Sequence, residues 1–342
     1  MAKFVGPPWK LIGKVANLAH LERWGRADRW LVLLFHHLTD GHRWRSRDPL
    51  VCGLNIDITV QEFEERFRWL KSRYEFASLD DVLLRKNGAL RPVRPKLLVC
   101  FDDGYASVLH LAAPILKSMN IPWAMFISPA FVGNKVLPID NIVSYIANLH
   151  GMNPLTRAAG ENIASSHDFI GAYLSRMAPI DRRNLVENLA AKLGIDTSAL
   201  AQKARLFLEE GEIRELASSG VEIGNHTFDH VHCRSLDDRE AEFQIGASAR
   251  EVARMSGRPV RAFAYPYGAL EDATPIARLA IEHSGHDCAF VVQNRTNSEE
   301  TDQFALFRID LGGMDDSRAA LELEVLPRMR ASHAAVRSWT QP

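Results

Sequence analysis

The 342-residue chain predicts an α/β fold built on a parallel sheet. Three observations carry that expectation. Short apolar runs alternate with longer stretches of helical period, most of those runs meet polar residues just past their C-terminal ends, and no repeat of 20–50 residues interrupts the alternation. Strands are expected at 30–35, 96–101, 123–127, 221–224, 262–265 and 288–292. Helices fall between them. Residues 60–74 place Phe63, Phe67 and Leu70 on one face, and 109–119, 210–218 and 239–255 repeat the amphipathic pattern. Ser78, followed by Leu79, Asp80 and Asp81, reads as a cap that opens a further helix.

One region breaks the rhythm. From about 137 to 206 the patterns are helical, including 182–193, and the stretch is too long for an ordinary βα connection. Because the strand pattern resumes at Gly220, this is read as a helical insertion rather than an independent domain. The expected organisation is an N-terminal helical segment at 1–29, one barrel domain over 30–325 carrying the insertion, and a tail at 326–342.

Composition narrows the function classes. With 46% hydrophobic residues and a net charge of −1, the chain can bury a large core and lacks the basic excess of a nucleic-acid binder. Arg43, Arg45 and Arg47 read as a solvated loop ahead of the alternative, a contact for an anionic ligand. Cys52, Cys100, Cys233 and Cys288 are far apart without CxxC spacing, so free thiols in a reducing compartment are expected. The N-terminus lacks the roughly 7–15-residue apolar core of a signal peptide, and no run of about 18 apolar residues occurs. A cytoplasmic protein without a membrane span is expected. The segment 8–21, amphipathic with Lys10 and Lys14, is suited to peripheral contact at the inner membrane face.

The chemistry concentrates at three strand ends. In CFDDG an apolar run stops at Asp102 and Asp103, two like charges that repel and lose hydration unless a cation or donors compensate. In GNHTFDH, His226 and His230 stand four apart, so one helical turn would point both imidazoles the same way. Among 13 histidines such a pair is more often bystander than ligand. A carboxylate at a neighbouring strand end changes that balance, because two imidazoles and one carboxylate with an open position form the ligand set of a catalytic zinc site. In FAYPYG, Pro266 and Gly268 fix a turn that either aims the Tyr265 N–H at the site as an oxyanion donor or simply packs tyrosines.

CFDDG, EIGNHTFDH and RAFAYPYG, in that order, resemble the polysaccharide deacetylases, the NodB-homology group of carbohydrate esterase family 4. ITVQEFEERFRWLKSRYEFASLDDVL and FLEEGEIRELASSGVEIGNHT resemble it too, so the likeness covers about 30–310 without the insertion. The resemblance implies a distorted (β/α) barrel of about seven strands. It also implies a divalent metal, zinc first with cobalt, nickel or manganese as alternatives, and hydrolysis of N-acetyl groups on an N-acetylglucosamine glycan such as a chitooligosaccharide or exopolysaccharide. By motif position Asp102 would be the general base, with Asp103, His226 and His230 on the metal. Tyr265 would give the oxyanion N–H, and Pro266 and Tyr267 would line the substrate groove.

Two departures qualify the match. Where many members carry an arginine that holds the base, this chain has Ala264, and Arg308 is the candidate replacement. The C-terminus lacks the family's Leu-x-His motif, whereas VLLFHH at 32–37 resembles the poly-N-acetylglucosamine deacetylase branch, whose acid histidine comes first. His36 is then the expected general acid and His37 a spare beside the substrate. The rival readings are a deformylase or amidase of this fold on a lipid-linked sugar or cyclic amide, and a non-catalytic glycan-binding barrel.

Overall fold

The computed structural model describes residues 30–311 apart from 46–47, 55, 86–95 and 294. The segment 1–29, with its amphipathic stretch, and the tail at 326–342 lie outside the described residues, as does the expected barrel boundary at 325. Ten strands are described: β1 (Trp30–Phe35), β2 (His37–Thr39), β3 (Asp57–Thr59), β4 (Glu75–Phe76), β5 (Lys96–Phe101), β6 (Trp123–Ile127), β7 (Glu222–Asn225), β8 (Ala262–Ala264), β9 (Cys288–Val292) and β10 (Leu306–Asp310). β1 pairs with β5 along its whole length, from Trp30 opposite Lys96 to Phe35 opposite Phe101, and with β10 on its other edge. The sheet therefore closes. β1 and β5 through β10 form a parallel barrel of seven strands, with β4 added beside β5 and β2 and β3 paired separately.

Closure explains why the barrel strands read as continuous apolar runs. A strand between a filled barrel and a ring of helices is buried on both faces, so no polar alternation survives. Successive residues of β1 divide between two cores: Leu31, Leu33 and Phe35 face the helices, and Val32 and Leu34 join Leu98, Cys100, Ala124, Ala262, Ala264 and Phe290 in a second cluster. That second cluster mixes small residues with Phe126 and Phe290, whose rings meet edge to face at 5.6 Å. Gly224 belongs to the same fit, since a Cβ there would lie 2.3 Å from the Phe126 ring.

Most expected elements stand where periodicity put them. The Val60–Lys71 helix opens with a capping box from Thr59 and Glu62 and buries Phe63, Phe67 and Leu70. Ser78 Oγ accepts the Asp81 N–H at the start of the Leu79–Arg85 helix. β10 was not among the expected strands, because Arg308 interrupts its apolar pattern.

The insertion connects β6 to β7 through helices that include Ile139–His150, Asn153–Ala159, Pro179–Lys192 and Thr197–Ala204. It is stitched to the barrel mouth on several sides. Asn141 Nδ2 donates to Leu50 O at 2.8 Å, and Ser144 Oγ lies 2.8 Å from Pro49 O and 2.9 Å from Cys52 O. Arg183 pairs with Asp229 beyond β7 at 2.8 Å, Arg182 donates to Ser235 Oγ at 3.0 Å, and Tyr267 beyond β8 donates its hydroxyl to Asp140 at 3.1 Å. At about 0.5–1.5 kcal/mol net each, such bonds together hold the insertion in one place.

Candidate active site

The carboxylate pair is separated by backbone conformation. The Asp102 N–H continues the ladder onto Phe35 O at 3.1 Å, whereas Asp103 turns left-handed with φ of 70° and Gly104 follows at 81°. Aspartate tolerates that region better than most residues. Gly104 also sits against β6, where a Cβ would lie 3.2 Å from Ile127 Cγ2. Adjacent side chains thus reach different partners.

The histidines converge by another route than the expected helical turn. After β7, Thr227 and His230 both take left-handed φ values, 60° and 51°, and the segment is a turn. The rings still approach to 5.0 Å between centroids. His226 Nδ1 lies 2.8 Å from the Ala264 carbonyl, which fixes the ring and leaves Nε2 toward Asp103 Oδ1 at 3.4 Å. His230 Nε2 is 3.3 Å from the same oxygen. One ligand atom from each of Asp103, His226 and His230 falls within 4.8 Å of the others.

Asp103 Oδ1 is buried with no hydrogen-bond partner. A buried, orphaned carboxylate oxygen between two imidazole nitrogens fits a divalent cation, which would satisfy all three groups. Burial pushes the Asp103 carboxyl up, but His230, His226 and His36 outweigh it and hold it well below the usual carboxylate range. His230 is pulled down to about 4, chiefly by burial, so its imidazole is neutral at pH 7. Burial also lowers His226, but Asp102 and Asp103 outweigh it and its pKa ends above the ordinary value.

Arg308 occupies the position expected of it. Fully buried on β10, it donates from Nη1 to Asp102 Oδ1 at 2.7 Å, while Asp102 Oδ2 faces His226 Nε2 at 3.8 Å. Burial opposes its charge, yet Asp102 and Cys100 raise its pKa above the ordinary arginine value. The two N-terminal histidines separate. His36 follows β1 and lines the central cavity with a buried Nδ1 that has no partner among the described residues. His37 turns away: it is 1% exposed, its Nδ1 is 3.0 Å from Asp57 Oδ1, and its ring packs against Trp44 and Tyr105. The expectation that His37 touches substrate is therefore corrected.

Tyr265 is also corrected. Its N–H donates to Phe290 O at 3.0 Å as part of the barrel ladder, its hydroxyl donates to Phe304 O, and the side chain is fully buried. That N–H is not free to bind an oxyanion. Pro266 has no N–H, and Gly268 donates back to Tyr265 O, which leaves the Tyr267 N–H as the donor in this turn without an acceptor among the described residues. Tyr267 lines the cavity, with φ of 61° and its ring between His230 at 4.7 Å and His232 at 4.0 Å.

Two further groups were not singled out from sequence. Asp140, in the first turn of an insertion helix, accepts from Tyr267 Oη and places Oδ2 3.6 Å from His230 Nδ1. Burial and the neighbouring charge of Asp103 raise its carboxyl to about 7. An acid in a helix's first turn ordinarily reads as a dipole partner, which masks this role. His232, two residues past His230, is held by Asp272 at 3.0 Å. The cavity over these residues measures about 420 Å³ and takes lining from both barrel and insertion.

A closed parallel barrel thus carries, at its C-terminal mouth, a His–His–Asp cluster that could hold a metal ion. The sequence profile of the polysaccharide deacetylases matches residues 91–285, more than half of the chain, and the chain belongs to that family of hydrolases. YxkH of Bacillus subtilis (strain 168) is 19% identical over 86% of this chain and 75% of its own. The poly-β-1,6-N-acetyl-D-glucosamine N-deacetylase of Staphylococcus epidermidis is 28% identical over 34% of this chain and 39% of its own. Among solved structures, the Streptococcus pyogenes deacetylase PplD, in complex with acetate, superposes with a TM-score of 0.56 at 13% identity, covering 88% of this chain and 98% of that one. The de-N-acetylase from Aggregatibacter actinomycetemcomitans gives 0.56 at 18%, covering 87% and 100%. Both likenesses bear on the fold. Among the described residues no helix is long and apolar enough to cross a membrane.

Proposed function

We propose that this chain is a metal-dependent N-deacetylase acting on an N-acetylglucosamine-containing glycan. The observation that carries the reading is the division of labour at CFDDG: Asp103 Oδ1 lies orphaned between two imidazoles, and Asp102 is clamped by Arg308 beside them. A degenerate binding barrel has no need of that clamp.

Asp103, His226 and His230 would hold the ion, zinc being the first candidate for this donor set. When bound, such an ion supplies Lewis acidity and lowers the pKa of water from 15.7 toward about 7. Asp102, fixed through Oδ1, presents Oδ2 as the base that takes a proton from the attacking water. The Tyr267 N–H stabilises the charge that develops on the acetamide oxygen. His36, which lines the same cavity, gives a proton to the departing amine, which leaves poorly as an anion. Ala264 serves through its carbonyl, which orients His226.

The test pairs metal analysis of the purified protein with acetate release from N-acetylglucosamine oligomers. Stoichiometric divalent metal and chelator-sensitive acetate release are expected. Formate or ammonia release from other amides, with none of acetate, would assign the site to another bond. The N-acetylglucosamine substrate is supported by the Staphylococcus epidermidis relative, and a position at the inner membrane face by the amphipathic segment 8–21.

A further inference from the structure

Tyr267 carries a bulky side chain at φ 61° and ψ −13°, in the left-handed region that such residues enter only where their surroundings hold them. Part of the hold acts on the next residue. Gly268 donates to Tyr265 O at 3.0 Å and lies so close to β9 that a Cβ there would be 2.3 Å from Val292 Cγ2. The other part acts on the tyrosine ring. Its hydroxyl donates to Asp140 at 3.1 Å, and the ring stacks on the His232 imidazole with centroids 4.0 Å apart and planes 18° from parallel.

His232 is itself held firmly. It is 4% exposed, and its Nδ1 lies 3.0 Å from Oδ2 of Asp272, a residue with no exposure at all. Asp272 Oδ1 accepts the Arg234 N–H at 2.9 Å, which fixes the carboxylate against the loop beyond β7. Asp272 also follows Tyr267 by five residues in the connection beyond β8. The carboxylate that orients the imidazole and the ring that the imidazole meets therefore belong to one segment, and the stack closes a circuit between the loop that carries His226 and His230 and the loop that carries the Tyr267 N–H. We infer that His232, oriented by Asp272, is a positioning residue that keeps the Tyr267 N–H in place by stacking on its ring. This rests on the deacetylase reading, which gives that N–H the acetamide oxygen to stabilise. Losing an oxyanion donor outright costs about 10²–10³ in kcat, so a donor that drifts forfeits part of that factor.

Two variants of the full chain separate the stack from the tie. His232→Asn keeps an amide that can bond Asp272 but removes the ring, whereas His232→Phe keeps a ring and removes the bond. With metal bound, His232→Asn is expected to lower kcat on an N-acetylglucosamine oligomer by about tenfold or more, with KM and metal content changed by less than about twofold, and His232→Phe to retain most of the rate. In a Tyr267→Ala background, His232→Asn should cause no further fall. A readout independent of turnover comes from 15N relaxation of the metal-free protein with its six tyrosines labelled, the Tyr267 amide being the one absent from Tyr267→Phe. Its order parameter should stand near 0.85 in the wild type and in His232→Phe, and fall below about 0.6 in His232→Asn. A Tyr267 amide as rigid in His232→Asn as in the wild type, a slow His232→Phe beside an unimpaired His232→Asn, or losses that multiply in the Tyr267→Ala background overturn the inference and leave the deacetylase reading standing. A wild-type chain that releases no acetate overturns that reading instead, and the amide order parameters then decide by themselves whether His232 holds the turn.

Discussion

Arg308→Met tests the least conventional part of the site. The guanidinium is fully buried, Asp102 is 2% exposed, and the two meet at 2.7 Å. With so little solvent to screen them, removing the cation leaves an uncompensated buried carboxylate, a change that costs about 3–5 kcal/mol in comparable buried pairs. At about 2.1 cal/mol/K per residue, a chain of this length has an unfolding entropy near 0.7 kcal/mol/K, so the apparent Tm should fall by about 4–7 °C. The decisive measurement is a double-mutant cycle by chemical denaturation. Asp102→Asn alone strands the arginine, Arg308→Met alone strands the carboxylate, and the double variant strands neither charge. It should therefore be more stable than the sum of the single losses predicts, by roughly 1–3 kcal/mol of coupling. Strict additivity would show that the two residues do not act as a pair, and the account of Asp102 as a clamped base would fall with it.

Asp102→Asn is expected to keep its full metal content while kcat drops by about 10²–10⁴, the usual loss of a general base; an unchanged rate in steady-state kinetics removes Asp102 from that role. For the histidines after β1, His36→Gln should depress kcat severely, whereas His37→Gln should act mainly on stability through its lost contact with Asp57; the reverse split would exchange their assignments. Asp140→Asn should weaken metal binding by about 10–100-fold in calorimetry of the metal-free protein, as loss of a group that orients a ligand histidine does. Unchanged affinity would make Asp140 a partner of Tyr267 alone. Gly224→Ala should destabilise the barrel by about 1–3 kcal/mol in urea, because the new methyl group meets the Phe126 ring; a neutral effect would show that the interior repacks freely.

Strands 30–35, 96–101, 123–127 and 288–292 were legible to the residue because burial on both faces leaves an uninterrupted apolar run. β10 was hidden by the same logic, since a charge inside LFRID reads as a solvent-facing position until its partner just past β5 is known. The motifs located the carboxylates and imidazoles, but spacing alone misread how the imidazoles meet. An i, i+4 pair suggests a helix, whereas two left-handed residues in a turn produce the same convergence. Tyr265 was misjudged because nothing in FAYPYG tells which N–H the barrel ladder consumes. Asp140 was out of reach for a different reason: its partners lie in other segments, and only the folded insertion brings them together.

The Arg308–Asp102 contact joins residues 206 positions apart, from the last described strand of the barrel to the residue just past β5. Asp102 consequently lacks that counter-ion until β10 has docked and the ring has shut. A growing chain that has emerged only as far as β9 carries Asp103, His226 and His230 without the guanidinium that Asp102 meets. Assembly of the His–His–Asp cluster and pairing of Asp102 thus depend on different lengths of the chain.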